Sequence, residues 1–172
     1  ILLEWLKPMR DSFSKIVEIG CGEGNTLNYL SKGLNSEAYG VEPSNEAVDV
    51  IKRKYKDIII KSEFSDSLSF KNEEFDCILA NPPFVPSPEE SLKFRDGGAS
   101  GENILMAIVQ GAWQHLSLGG RLCIVTDLVD VPTYEKKLQS WLGGMDVYGL
   151  ILTTADRDEI LFSVPHCHAP FS

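Results

Sequence analysis

The sequence predicts an α/β domain: a seven-stranded, mostly parallel sheet with helices on both faces and an antiparallel last strand. Three observations predict it. Short β-type apolar runs alternate with stretches of helical spacing. Gly, Pro or Asn punctuates most junctions between them. The last two β-type runs follow one another with no helix between them.

The elements follow in order. Residues 1–10 place Leu2, Leu3, Trp5, Leu6 and Met9 at helical spacing, which predicts a lead-in helix over that stretch. Residues 15–19 are a β-type run that stops at glycines. Residues 23–33 read as a helix with Leu27 and Leu30 on one face and Gly33 as its stop. Residues 38–42 form a second strand, halted by Pro43, and Ser44 is placed to cap a helix through Ala47, Val48 and Ile51. Residues 58–60 and 75–80 are the third and fourth strands, the fourth ended by Asn81-Pro82-Pro83. A Pro-, Ser- and Gly-rich loop then runs to Gly101. Residues 102–118 carry the longest helical pattern, with Gly119-Gly120 as the expected end, and residues 122–126 a fifth strand. Pro132 opens a helix that ends near Gly143-Gly144. Residues 147–153 and 160–164 are expected to pair as a hairpin around Ala155-Asp156-Arg157-Asp158. A dinucleotide-binding domain would normally place a crossover helix there.

Composition sets the outer limits. Hydrophobic residues make up 43% and charged residues 24%, an ordinary globular balance. The 172 residues are expected to form one domain, with residues 1–14 as its helix and lead-in. No apolar run reaches the ~20 residues of a membrane span. Glu4, Lys7 and Arg10 interrupt the first apolar stretch, so no signal peptide is expected there. The chain opens on Ile1 rather than Met, as a piece of a longer protein would. The net charge of -9 opposes loose nucleic-acid binding. The basic run Lys52-Arg53-Lys54-Tyr55-Lys56 reads as a solvated helix face. Cys21, Cys77, Cys123 and Cys167 form no CxxC pair, and three lie in or beside strand-like runs. That is the pattern of reduced thiols in a cytoplasmic protein. His166-Cys167-His168 is not read as a metal site, because three adjacent residues cannot readily face one ion.

Two segments carry chemistry. Glu18-Ile19-Gly20-Cys21-Gly22-Glu23-Gly24 lies at the first strand-to-helix turn, where glycines let backbone approach a ligand at a helix N-terminus. The spacing is GxGxG, not GxGxxG. Glu18 would set a carboxylate near a cationic amine, which a pyrophosphate would not favour. Glu42, ending the second strand, can accept the hydroxyl protons of a ribose. A ribose, an amino-acid cation and no phosphate describe S-adenosyl-L-methionine better than NAD. The second segment is Asn81-Pro82-Pro83-Phe84, directly after the fourth strand. Its prolines stiffen the backbone and remove N–H donors. What remains is carbonyl oxygen, the Asn81 side-chain oxygen and an aromatic ring. Two acceptors can grip both hydrogens of a planar –NH2 and favour the positive charge that develops on it during alkylation. Phe84 can stack on the planar group.

These residues resemble the motifs of the class I S-adenosyl-L-methionine-dependent methyltransferases, which have a Rossmann-like fold. The resemblance implies that Gly20, Gly22 and Gly24 line the methionine side of the cofactor and that Glu42 holds its ribose. It further implies that Glu63 meets the adenine amino group with Phe64 against the ring. The NPPF segment resembles the (D/N/S)PP(Y/F) motif of amino methyltransferases acting on adenine, cytosine, guanine or glutamine nitrogen. Together with Gly97-Gly98-Ala99-Ser100-Gly101, the long helix and Leu118-Gly119-Gly120, it looks most like the HemK/PrmC-type protein-glutamine N-methyltransferases. Those enzymes modify a glutamine of peptide release factors. Phe84 stands where that group usually has tyrosine. At most one helix precedes the fold, whereas bacterial members carry an N-terminal helical domain and other relatives work with a small partner protein. Three other readings stay open: a small metabolite's amide or amine, a nucleic-acid amino group, and a non-catalytic scaffold. Bland roles are expected for His115 and Asp127, as helix-end or loop caps; Arg95 and Asp96 lie in the loop over the expected site.

Overall fold

A computed structural model describes residues 2–63, 70, 73–83, 102–126 and 131–143, the last segment beginning with the backbone of Val131 alone. The expected strands at 147–153 and 160–164, Phe64, Phe84, Arg95, Asp96, residues 97–101, Asp127 and residues 166–168 lie outside them. The elements in chain order are α1 (Leu2–Leu6), β1 (Lys15–Ile19), α2 (Asn25–Leu34), β2 (Glu37–Val41), α3 (Asn45–Lys54), β3 (Ile58–Lys61), β4 (Phe75–Ala80), α4 (Asn103–Ala112), β5 (Leu116–Ile124) and α5 (Val131–Trp141). The five described strands form one sheet in the order β3-β2-β1-β4-β5, and every pair is parallel. The parallel α/β sheet expected from the alternation is therefore present.

β1 is central, and Ile16, Val17, Glu18 and Ile19 are all buried, as a strand covered on both faces must be. Ile16 packs with Leu3, Leu6, Leu27, Leu30 and Leu34 beneath α1 and α2. Val17 and Ile19 pack on the other face with Tyr39, Val41, Phe75, Ile78 and Ile108. α5 lies on α4 through Tyr134, Leu138 and Trp141 against Leu105 and Val109.

Several boundaries are set by packing rather than by local pattern. The lead-in helix stops at Leu6 and continues as a 3₁₀ helix over Lys7–Ser12, with Pro8 in its first turn, where the missing N–H costs nothing. Gly33 does not stop α2. It sits inside the helix because a Cβ there would stand 2.6 Å from the Leu3 side chain, and the stop is Asn35 in the left-handed conformation (φ 57°). The helix expected over residues 102–118 ends at Ala112, not at Leu118. Leu116 already pairs with Phe75, and the Phe75 N–H donates to the His115 carbonyl at 2.7 Å, so sheet pairing overrides the helical spacing. Gly119-Gly120 consequently lies within β5, in an irregularity where the register passes from Phe75↔Leu116 to Cys77↔Arg121. A Cβ at Gly120 would meet the carbonyl oxygens of Ser117 at 2.8 Å and Phe75 at 3.0 Å, so only glycine fits. The Ser44 cap is as expected: its hydroxyl accepts from the Ala47 N–H at 3.3 Å. Lys52, Arg53, Lys54 and Lys56 are exposed, and Cys21, Cys77 and Cys123 are free thiols.

Candidate functional site

The chain order reverses at β1, which has β2 on one side and β4 on the other. In an open parallel sheet, the carboxyl ends of the strands at such a reversal leave a crevice between diverging loops. The glycine segment leaves β1 there, Glu42 leaves β2, and Asn81 leaves β4. Glu63 lies two residues beyond the end of β3, half-buried.

The glycine segment is a built turn. Gly20, Gly22 and Gly24 have φ of 70°, 53° and 75°, a region that side-chain-bearing residues rarely adopt. The Gly20 and Cys21 N–H groups both donate to the Val41 carbonyl, at 2.8 and 3.1 Å, tying the turn to the end of β2. Gly24 is the N-cap of α2 and brings no side chain to the first N–H groups of that helix. A Cβ on Gly22 would meet nothing within 4 Å, so there is open room over the turn.

Glu42 is buried and fixed. Its Oε2 accepts from the Gly22 N–H at 2.8 Å and its Oε1 from the Ser44 N–H at 2.9 Å. Its own N–H donates to the Lys61 carbonyl of β3. A carboxylate has about four lone-pair sites, so each oxygen keeps acceptor capacity after its backbone bond. Sequence reasoning found Glu42 but not its holder, the Ser44 N–H; the signal was the Glu-Pro-Ser step, in which proline turns the chain back.

Glu18 is 8% exposed, and its Oε2 is buried with no hydrogen-bond partner among the described residues. Burial pushes its carboxyl up to about 7, with the Leu27 N–H of α2 acting the other way. Burial together with the charges of Glu18 and Glu42 pushes the Cys21 thiol up to about 12. Among the described residues, no group of three His, Cys, Asp or Glu is placed to hold a metal.

Past β4, Asn81 is exposed, Pro82 buried and Pro83 half-buried. β5 runs alongside to the edge, where the Val125 N–H donates to the Ala80 carbonyl at 2.9 Å. The structure thus brings Glu18, Gly20, Gly22, Gly24 and Glu42 together around one turn, with Asn81 and Pro82 on the neighbouring strand end.

The sequence pattern of the methyltransferase small domain matches residues 1–149. The chain belongs to the methyltransferase small domain family. Relatives of this methyltransferase domain include the ribosomal RNA small subunit methyltransferase C of Serratia proteamaculans, 26% identical over 84% of the chain and 42% of that protein. They also include the release factor glutamine methyltransferase of Dictyoglomus turgidum, 32% identical over 52% of the chain and 35% of that protein. The chain spans less than half the length of these two curated relatives. An amino pentose methyltransferase of Micromonospora echinaspora, solved with S-adenosyl-L-methionine bound, shares the fold: TM-score 0.57 at 14% identity, over 74% of the chain and 48% of that structure. The cofactor of this methyltransferase domain is S-adenosyl-L-methionine. The residues present fit it: an orphaned buried carboxylate oxygen for a cation, a held carboxylate with spare acceptor sites for a diol, and a glycine turn with open room. No helix among the described residues is long and apolar enough to cross a membrane.

Proposed function

We propose that the chain is the catalytic domain of an N-methyltransferase acting on a planar amino nitrogen, a glutamine side-chain amide of a protein such as a peptide release factor. The observation that carries this reading is the position of Asn81-Pro82, directly beyond β4, exposed at Asn81 and next to the glycine turn across the β1–β4 pair. When bound, S-adenosyl-L-methionine supplies a methyl group made electrophilic by the sulfonium.

In this reading the chain's own residues bind and orient. Glu42 accepts the ribose hydroxyls on the sites left free by Gly22 and Ser44. Gly20, Gly22 and Gly24 bring backbone against the methionine part, and Glu18 faces its cation. Glu63 and Phe64 hold the adenine. The Asn81 carboxamide oxygen and the Pro82 carbonyl accept the two hydrogens of the acceptor –NH2, and Phe84 stacks on its plane. An amide nitrogen has its lone pair delocalised, so holding both hydrogens presents the nitrogen face to the methyl and stabilises the charge that grows there. The proton leaves after alkylation, when it has become acidic, so no strong base is required. Residues 1–172 act as one cytoplasmic catalytic domain, with further domains or a partner protein gripping the substrate.

The exocyclic amino group of an adenine or guanine in a nucleic acid is the second reading, favoured by the ribosomal RNA methyltransferase relative that aligns over 84% of the chain. Mass spectrometry after incubation with labelled cofactor separates the two. One added methyl on a release-factor glutamine supports the first; label in RNA with none in protein overturns it.

A further inference from the structure

Glu18 stands in β1 between Gly40 of β2 and Leu79 of β4. Gly40 has no side chain, and a Cβ there would be 2.8 Å from the Cys21 sulfur. α2, α3 and β3 bring Leu27, Ile51 and Ile58 to this face, all apolar. The first turn of α2 carries no charged residue. Among the described residues, the titratable groups that share this corner are Cys21 and Glu42. Cys21 holds its proton throughout the neutral range, and Glu42 is already engaged by two N–H groups. Among the described residues no cation is positioned to neutralise Glu18, and its Oε2 has no hydrogen-bond partner. A buried charge in that condition is costly, and the group sheds it by keeping its proton.

We propose that the Glu18 carboxyl is protonated in the ligand-free domain and gives up that proton when the cofactor's ammonium settles against it, so that cofactor binding is coupled to proton release. The inference rests on the reading of this crevice as the S-adenosyl-L-methionine site. One O–H bond breaks, the proton passes to solvent, and the carboxylate forms an ion pair with the ligand. The ligand is the missing partner of a site that the fold leaves one positive charge short.

The test is titration calorimetry of the ligand-free protein with S-adenosyl-L-methionine at pH 6 to 7, in buffers of different ionisation enthalpy. In that window the ligand's own α-amino group is already charged. About half a proton should be released per ligand at pH 7, rising toward one at pH 6, since the carboxyl titrates at about 7. Affinity should fall about fivefold from pH 7 to pH 6. Glu18→Gln should lose both effects. 5′-Methylthioadenosine, which lacks the ammonium, should bind without them. A second readout needs no ligand. The folded chain holds this proton more tightly than the unfolded chain, so its stability should fall as pH rises from about 4.5 toward 7, and Glu18→Gln should remove that part of the fall. Tight binding with no buffer dependence would overturn the proton coupling and leave the cofactor site standing. No binding of S-adenosyl-L-methionine at any pH would overturn both.

Discussion

Glu42 and Asn81 are both polar residues at strand ends, yet substitution should affect them in opposite ways. Glu42 is buried and accepts from Gly22 and Ser44, so it shapes the turn as well as, in the proposed reading, accepting from the ligand. Glu42→Ala should weaken cofactor binding by about 1.5–3 kcal/mol, the range for hydrogen bonds to a charged group, and should also lower the thermal midpoint, because two N–H groups lose their acceptor. Calorimetry and a melt on the same sample check this, and an unchanged affinity would remove Glu42 from the site. Asn81 is exposed, and its side chain has no hydrogen bond within the described residues. Asn81→Ala should lower kcat by about 10²–10³ while leaving the melt and cofactor affinity unchanged, as expected for the loss of one preorganised contact to a charge that forms only during transfer. Turnover within a few-fold of the parent would show that Asn81 does not hold the amino group.

At the scale of elements, one carboxylate ties three strands at the edge opposite the site. Asp76 of β4 accepts from the Ser14 and Lys15 N–H groups at the start of β1, at 2.8 and 3.0 Å, and from the Ser117 hydroxyl of β5 at 2.7 Å. Burial pushes its carboxyl upward, but the Ser117 hydroxyl and the two N–H groups outweigh this and hold it below the ordinary value. A depressed carboxyl contributes stability that is fully present above the ordinary value of 3.8 and is lost as pH falls below it. Asp76→Ala should therefore destabilise the domain by about 1.5–3 kcal/mol at neutral pH and reduce its acid sensitivity. Urea unfolding at pH 7 and near pH 3 measures both; equal losses at the two pH values would mean that the charge plays no part. The same edge explains where α4 stops. Its helical spacing runs on to Leu116, but Leu116 and Ser117 are already committed to β4.

Across the whole molecule, stability should be graded from the centre of the sheet outward. β1 and β4 are buried strands with neighbours on both sides, whereas β3 is the outermost strand on its side of the described sheet and exposes half of Ile59. Hydrogen exchange should be slowest in residues 16–19 and 77–80 and faster in residues 58–61. Uniform protection across the three strands would contradict that gradient. This layout also separates what could be read from the chain from what could not. The strands read at residues 15–19, 38–42, 58–60 and 75–80 announced themselves to within a residue, because apolar runs bounded by Gly, Pro and Asn have few other uses. Gly20, Gly22 and Gly24 announced a tight turn after β1, with Glu18 and Glu42 beside it, because glycines for positive φ and acids at a strand end are visible locally. The termini of α1, α2 and α4 were not legible, since they depend on Pro8 in a short 3₁₀ turn, on Leu3 lying against Gly33, and on β4 claiming Leu116. Nor did the sequence show how differently the two acids are held. Both are carboxylates beside one turn, but the fold gives Glu42 two backbone donors and leaves Glu18 with an oxygen that has none. That difference arises because hydrogen-bond partners and burial are set by which strand ends meet, and only the folded sheet brings β1 and β2 side by side.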